Sequence, residues 1–255
     1  MDYSILASRP APPWLRDDSY TDHPLGTLKS GKEAEVMLVE RRYAGGAPIL
    51  LAYKRYRPRR PRRGELRELG FQRATGYRHS SRYQAGWYFS SRDRRAVDTH
   101  SRHGQQLVEA RWPVQELTNL ERAWRAGAAV PYPVEGKDDG VVMEYIGDRE
   151  AAAPRLLQAR LEPGDAGSAW RQLHASLAAL TAAGLVHGDL SAYNLLWWQG
   201  RLVLIDLPQA VEFVTNPDAT ELLHRDVANV AAWFDRNGVE VDVEATFVEL
   251  LALAW

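Results

Sequence analysis

The segment Leu185-Val-His-Gly-Asp-Leu-Ser-Ala-Tyr-Asn194, followed by Asp206 in Val203-Leu-Ile-Asp-Leu-Pro208, holds the residue types that phosphoryl transfer requires. One aspartate must orient an attacking hydroxyl and accept its proton. An asparagine and a second carboxylate must hold a divalent cation against the phosphates. Asp189 and Asn194 stand at the Asp-x-x-x-x-Asn spacing that serves this chemistry. With Asp206 they form a hard oxygen donor set suited to Mg2+ or Mn2+. Alone, a His-x-Asp triplet is usually a turn and a lone Asn a cap, but the set in this order is much rarer by chance. His187 reads as a residue that packs and hydrogen-bonds to shape the loop, not as a base or metal ligand.

These side chains need elements to position them. Asp206 ends the apolar run Leu202–Ile205, which pairs across a Gln-Gly-Arg turn with Leu195–Trp198, so one hairpin brings Asn194 and Asp206 together. Trp170, Leu173, Leu177 and Leu180 mark a helix ending at Gly184, and Leu223, Val227, Val230 and Phe234 mark another. A last helix spans Glu244–Trp255. In the first half, Val36–Glu40 and Ile49–Lys54 flank a Tyr43–Pro48 turn and read as an antiparallel hairpin. Leu117, Leu120 and Trp124 then form a helical stripe over Val114–Ala126, closed by Gly127. Pro113 suits the first turn of that helix and so fixes where it begins. Val141–Ile146 reads as a buried strand, and a linker opens at Gly147. The division expected is an irregular or short helical arm over 1–25, anchored by Trp14 and Leu15, then a strand-rich lobe over 26–146 and a helical lobe over 147–255.

Gly26-Thr-Leu-Lys-Ser-Gly31-Lys32-Glu33 nearly satisfies the Walker A pattern, but Glu33 stands where a hydroxyl should reach Mg2+ and strand follows where a helix is required. A loop covering nucleotide between two strands fits better. On that reading Lys54 pairs with the phosphates and Glu116, on the following helix, is its ion-pair partner.

Several of these motifs, in order, resemble the RIO protein kinases, closest to the first RIO subfamily. Ser30-Gly-Lys-Glu-Ala34 is similar to the family's phosphate loop, and Trp112-x-x-x-Glu116-Leu-x-Asn-Leu120 to the helix that carries its ion-pair glutamate. Val142-Met-Glu-Tyr-Ile-Gly-Asp148 is similar to the hinge that meets adenine, and Ala153-Pro-Arg-Leu156, His187-Gly-Asp-Leu-Ser191, Ile205-Asp206, Gln209-Ala-Val-Glu212 and Arg225-Asp-Val-Ala-Asn-Val230 also match. The resemblance implies an α+β, two-lobed kinase fold with a reduced helical lobe and no activation loop. It implies ATP-dependent serine phosphorylation, chiefly of the protein itself, with Asp189 catalytic and Asn194 and Asp206 on the metal. Ser30, Lys32, Lys54, Glu116, Met143, Glu144 and Ile146 would bind the nucleotide. Some members form an aspartyl-phosphate at the position of Asp206, and several act as ATPase switches on immature small ribosomal subunits. Ser191 stands where ordinary protein kinases place a lysine near the γ-phosphate.

The composition is that of a globular protein. Of 255 residues 45% are hydrophobic and 25% charged, and no apolar run has the ~18 residues of a membrane span. With no cysteine, disulfides, thiolate zinc sites and cysteine nucleophiles are excluded, and a cytoplasmic location is expected. The net charge of −1 is uneven: residues 55–111 carry 15 arginines against 5 carboxylates. That segment is either a solvated face or a surface for phosphate groups on RNA, ribosome or phosphoprotein. Two further functions stay open at this stage. One is a small-molecule phosphotransferase of the aminoglycoside or choline type, which shares His-Gly-Asp; the other is a nucleotide-gated RNA or ribosome binder.

Overall fold

The computed structural model describes residues 9–31, 34–57, 95 and 102–255. Its first half is built on five antiparallel strands: β1 (Tyr20–Ser30), β2 (Ala34–Tyr43), β3 (Ile49–Tyr56), β4 (Pro133–Lys137) and β5 (Gly140–Glu144), in the order β1-β2-β3-β5-β4. The β2–β3 hairpin joins where the sequence pattern puts it, with Val36 opposite Lys54. The nucleotide-loop candidate lies between β1 and β2, and the Gly31 amide donates to the Ala34 carbonyl at 2.9 Å. Lys32 and Glu33 lie outside the described residues.

The arm expected through residue 25 ends earlier, because the chain is already strand from Tyr20. Nearly every residue of β1 is exposed, so no alternation of apolar and polar residues announces it. Its pairing with β2 shifts register between Pro24 and Gly26 and again between Thr27 and Lys29. The first of these bulge-like irregularities falls between a proline without an N–H and a flexible glycine.

Helix α1 (Arg102–Arg125) packs on the sheet. It begins well before Val114, so Pro113 lies inside it and not in its first turn. The ring costs the ladder one hydrogen bond, a penalty of about 3 kcal/mol in an isolated helix. Burial of Pro113 together with Leu120, Ala123 and Trp124 against the sheet offsets that cost. The segment expected to precede the helix over 55–111 therefore ends in helical backbone.

The second half contains α2 (Asp165–Ala182), α3 (Ala219–Arg236) and α4 (Val243–Leu251). Between them lie two small pairs, β6 (Leu185–Val186) with β9 (Val211–Glu212) and β7 (Leu195–Trp198) with β8 (Arg201–Leu204). Gln199 and Gly200 join β7 to β8 with φ of 48° and 77°, the left-handed pair that matches strand twist in a two-residue hairpin. Leu173, Leu177 and Leu180 bury the inner face of α2, and Leu222, Val227, Val230 and Phe234 that of α3. Each such leucine contributes about 1.5–3 kcal/mol through burial. The last helix stops at Leu251, short of the expected Trp255, and continues only as a 3-10 turn over Ala252–Ala254. One contiguous apolar cluster runs from Ala52 and Leu120 through Leu180 to Leu250, so the two halves share a core.

Candidate active site

Three elements meet at Lys54, near the end of β3. Its Nζ donates to Glu116 Oε1 of α1 at 2.6 Å and to Asp206 Oδ1, just beyond β8, at 2.6 Å. Burial alone would favour the neutral amine, but Asp206 and Glu116 hold the ammonium well above its ordinary pKa. Burial pushes the Glu116 carboxyl up, against the pull of Lys54. The Lys54 charge depresses Asp206, which stays ionised.

Gly140 explains how β5 can lie beside this lysine. A Cβ there would sit 2.2 Å from the Lys54 carbonyl, so only glycine allows the two backbones to meet. Tyr56 completes the pair: its hydroxyl donates to Glu116 Oε2, and its ring meets Trp112 edge-on at 5.7 Å between centroids. Both oxygens of Glu116 are thereby held.

The loop from His187 to Asn194 is fastened from below. Asp226, buried on α3, accepts the amides of Gly188 at 2.6 Å and Leu190 at 2.9 Å. Burial raises its carboxyl, against the charge of His187 and these two amides. Arg225 donates to the Gly188 carbonyl, and Asn229 to that of Leu190 at 3.3 Å. His187 is buried with Nε2 3.1 Å from the Ile205 carbonyl, tying the loop to the strand before Asp206. Asp189, fixed by these neighbours, exposes its side chain. Asn194 Nδ2 donates to the Asp189 carbonyl at 2.8 Å, which leaves its amide oxygen as the acceptor end. The Ile205 amide donates to the Asn194 carbonyl at 3.0 Å, so Asn194 and Asp206 flank the same rung of the β7–β8 hairpin. Asp206 itself has φ of 71°, an unusual left-handed conformation for a residue with a side chain.

The donor set fits Mg2+. Among the described residues no three His, Asp or Glu side chains cluster as a metal cage. An ionised Asp206 with the Asn194 amide oxygen is the sparse oxygen set that leaves Mg2+ room for phosphate and water.

The remaining candidates are placed differently. Ser30 closes β1 and accepts from Arg57 at 2.8 Å. Met143 is buried on β5. Glu144 exchanges bonds with Tyr132, donating its amide at 2.8 Å and accepting through Oε2 at 3.1 Å. Ile146 accepts from the Ala153 amide at 2.9 Å. Tyr56 was not singled out from sequence, and Asp226 and Asn119, though they stand in motifs quoted for the resemblance, were given no role. Tyr56 lies two residues past Lys54 on a strand, hence on the same face, and Asp226 is a lone acid on an apolar helix face. Both signals were readable. Asn119 is buried on α1 and donates to the carbonyls of Leu207 at 2.8 Å and Ala210 at 3.3 Å, joining Glu116's helix to the chain after Asp206.

The family model described as RIO domain matches residues 76–246. The chain belongs to the RIO family. It is 36% identical over 233 residues to the RIO-type serine/threonine-protein kinase Rio1 of Haloferax volcanii, covering 91% of this chain and 70% of that protein. It is 31% identical to serine/threonine-protein kinase RIO1 of Chaetomium thermophilum, covering 84% of this chain but only 40% of the relative. The solved Rio2 kinase-ADP/Mg2+-phosphoaspartate complex from Chaetomium thermophilum superposes with a TM-score of 0.57 at 20% identity, covering 92% of this chain and 61% of that one. That likeness supports the α+β, kinase-like RIO fold expected from the motifs.

Proposed function

We propose that this chain is an ATP-dependent RIO-type kinase that transfers the γ-phosphoryl group to a serine hydroxyl, including hydroxyls of its own chain. The observation that carries the reading is the contact of Lys54 with both Glu116 and Asp206, which joins β3, α1 and the loop hairpin at one charge. Kinase relatives at 31–36% identity over most of the chain support it. On this reading Asp189 orients the acceptor hydroxyl and takes its proton as the new O–P bond forms and the bond to ADP breaks. Lys54 binds phosphate oxygens while Glu116 and Tyr56 keep it in place. Asn194 and Asp206 hold Mg2+ or Mn2+, which supplies charge neutralisation when bound. Ser30 and Lys32 would border the phosphates, and Met143, Glu144 and Ile146 the adenine. The Rio2 relative was solved with phosphoaspartate. We extend that chemistry to Asp206 as a second acceptor. The arginine-rich 55–111 segment is proposed as an RNA or ribosome contact, and the protein as cytoplasmic. Among the described residues no helix is long and apolar enough to cross a membrane.

The deciding experiment incubates the protein with γ-labelled ATP and Mg2+ and follows the label. Base-stable label on serine supports the serine kinase, and hydroxylamine-labile label lost in Asp206→Asn supports the acyl phosphate. Transfer to an aminoglycoside or choline without self-labelling would replace the reading with a small-molecule phosphotransferase.

A further inference from the structure

Ser191, in the place where ordinary protein kinases carry a lysine, accepts the Tyr193 amide at 3.3 Å and so serves the turn of its own loop. The loop from Asp189 to Asn194 brings no cation to the phosphates. Two cations reach it from elsewhere. Arg155, from the segment between β5 and α2, lays its guanidinium 3.6 Å from the Tyr193 ring centroid and donates to the Tyr193 carbonyl. Lys29, near the end of β1, places Nζ 3.2 Å from the Tyr193 hydroxyl and 4.6 Å from the same ring. Tyr193 is thus where the sheet of the first half and the loop of the second come into contact.

These cations differ from Lys54, whose charge is matched by two carboxylates at 2.6 Å. Among the described residues, the contacts of Arg155 and Lys29 are instead with Tyr193. Both cations sit on Tyr193, the residue directly before Asn194. A guanidinium has five N–H donors, and the Tyr193 carbonyl takes one of its nitrogens. The aromatic face orients the plane of the fork, which is the geometry that suits a phosphate with two or three terminal oxygens.

We propose that Arg155, assisted by Lys29, is the cationic seat for the terminal phosphate of a bound nucleoside triphosphate, standing in for the lysine that Ser191 replaces. The inference rests on the phosphotransferase reading given above and names a nucleotide-binding residue within it. The plainer role, a clamp that fastens the 147–159 segment to the loop, makes a different prediction. A clamp serves diphosphate and triphosphate alike, whereas a terminal-phosphate seat discriminates between them.

Titration calorimetry with Mg2+ and either ADP or the β,γ-imido analogue of ATP separates the two. Arg155→Met should weaken the triphosphate analogue by about 10- to 100-fold, the scale of a charge-assisted hydrogen bond, with ADP affinity changed less than about threefold. Arg155→Lys should recover part of the loss, and Lys29→Met should show a smaller loss of the same selectivity. Thermal midpoints measured alongside should differ little from wild type. An unchanged ratio of the two affinities in Arg155→Met, or equal losses for both ligands, overturns the proposal while leaving the kinase reading intact. Wild-type protein that binds neither nucleotide overturns both.

Discussion

Lys54 carries more than one duty, and its neighbours determine how each is tested. Glu116 is buried and would be costly as a lone charge, so it depends on Lys54 and Tyr56, just as Lys54 depends on Glu116 for its position. In a double-mutant cycle, Lys54→Met and Glu116→Gln should each weaken nucleotide binding, with a coupling of about 1–3 kcal/mol; additive losses measured by calorimetry would exclude direct cooperation. Asp189 is a different case, since its exposed carboxylate acts on the acceptor and not on the nucleotide in the proposed mechanism. Asp189→Asn should bind ATP as wild type does while phosphoryl transfer falls by at least about 10²-fold, read as initial rates of self-labelling. Full activity in that variant would remove Asp189 from the chemistry. The Asp189, Asn194 and Asp206 set was legible because its residue types are specific and closely spaced. Lys54 and Glu116, 62 residues apart, were paired only by analogy with a known arrangement. Tyr193 with Lys29 and Arg155 left no such trace, because three separate segments meet there and no local spacing encodes their contact.

At the scale of elements, local pattern and tertiary packing contribute unequally. The β7–β8 hairpin was readable from two apolar runs and a Gln-Gly turn whose backbone needs left-handed residues. Helices α2 and α3 were readable from apolar residues at helical spacing. Strand β4 follows Pro131 and is only Pro-Val-Glu-Gly-Lys, so its pairing with β5 comes from the sheet and not from its own propensity. The early turns of α1 likewise form on the far side of a proline that reads locally as a start signal. Gly140 shows what such packing demands of a single position. Gly140→Ala should force β5 away from β3 at Lys54, lowering stability by about 1–3 kcal/mol and weakening nucleotide binding together. Equilibrium denaturation and calorimetry on the same variant test this; wild-type stability would mean the strands can separate without consequence.

Across the whole molecule, the two outer strands of the sheet are tied by one buried cation. Arg41, 2% exposed, bonds Asp22 at 2.7 Å and Glu135 at 2.8 Å, tying β1 and β4 to β2. Burial would raise both carboxyls, but the Arg41 hydrogen bonds and charge, aided at Glu135 by Tyr20, hold both below the usual carboxylate range. A lowered carboxyl adds stability that is complete above its unfolded pKa and lost as pH falls through the folded value. Stability should therefore be flat above about pH 5 and decline below pH 4. Arg41→Met should cost about 2–3 kcal/mol at neutral pH and flatten that acid decline, as followed by urea midpoints across pH 3–7. An unaltered acid slope would show that other groups govern it.

The broken register of β1 has a consequence for how the protein behaves at high concentration. As the outer strand of the sheet, β1 is eleven residues long and presents Leu25 and Leu28 to solvent, features that invite a second chain to add itself edge to edge. Pro24 cannot donate a bond to such a neighbour, and two irregularities in eleven residues twist the ladder that the neighbour would have to follow. These distortions thereby act against aggregation, keeping the edge beside the nucleotide loop from templating a fibril.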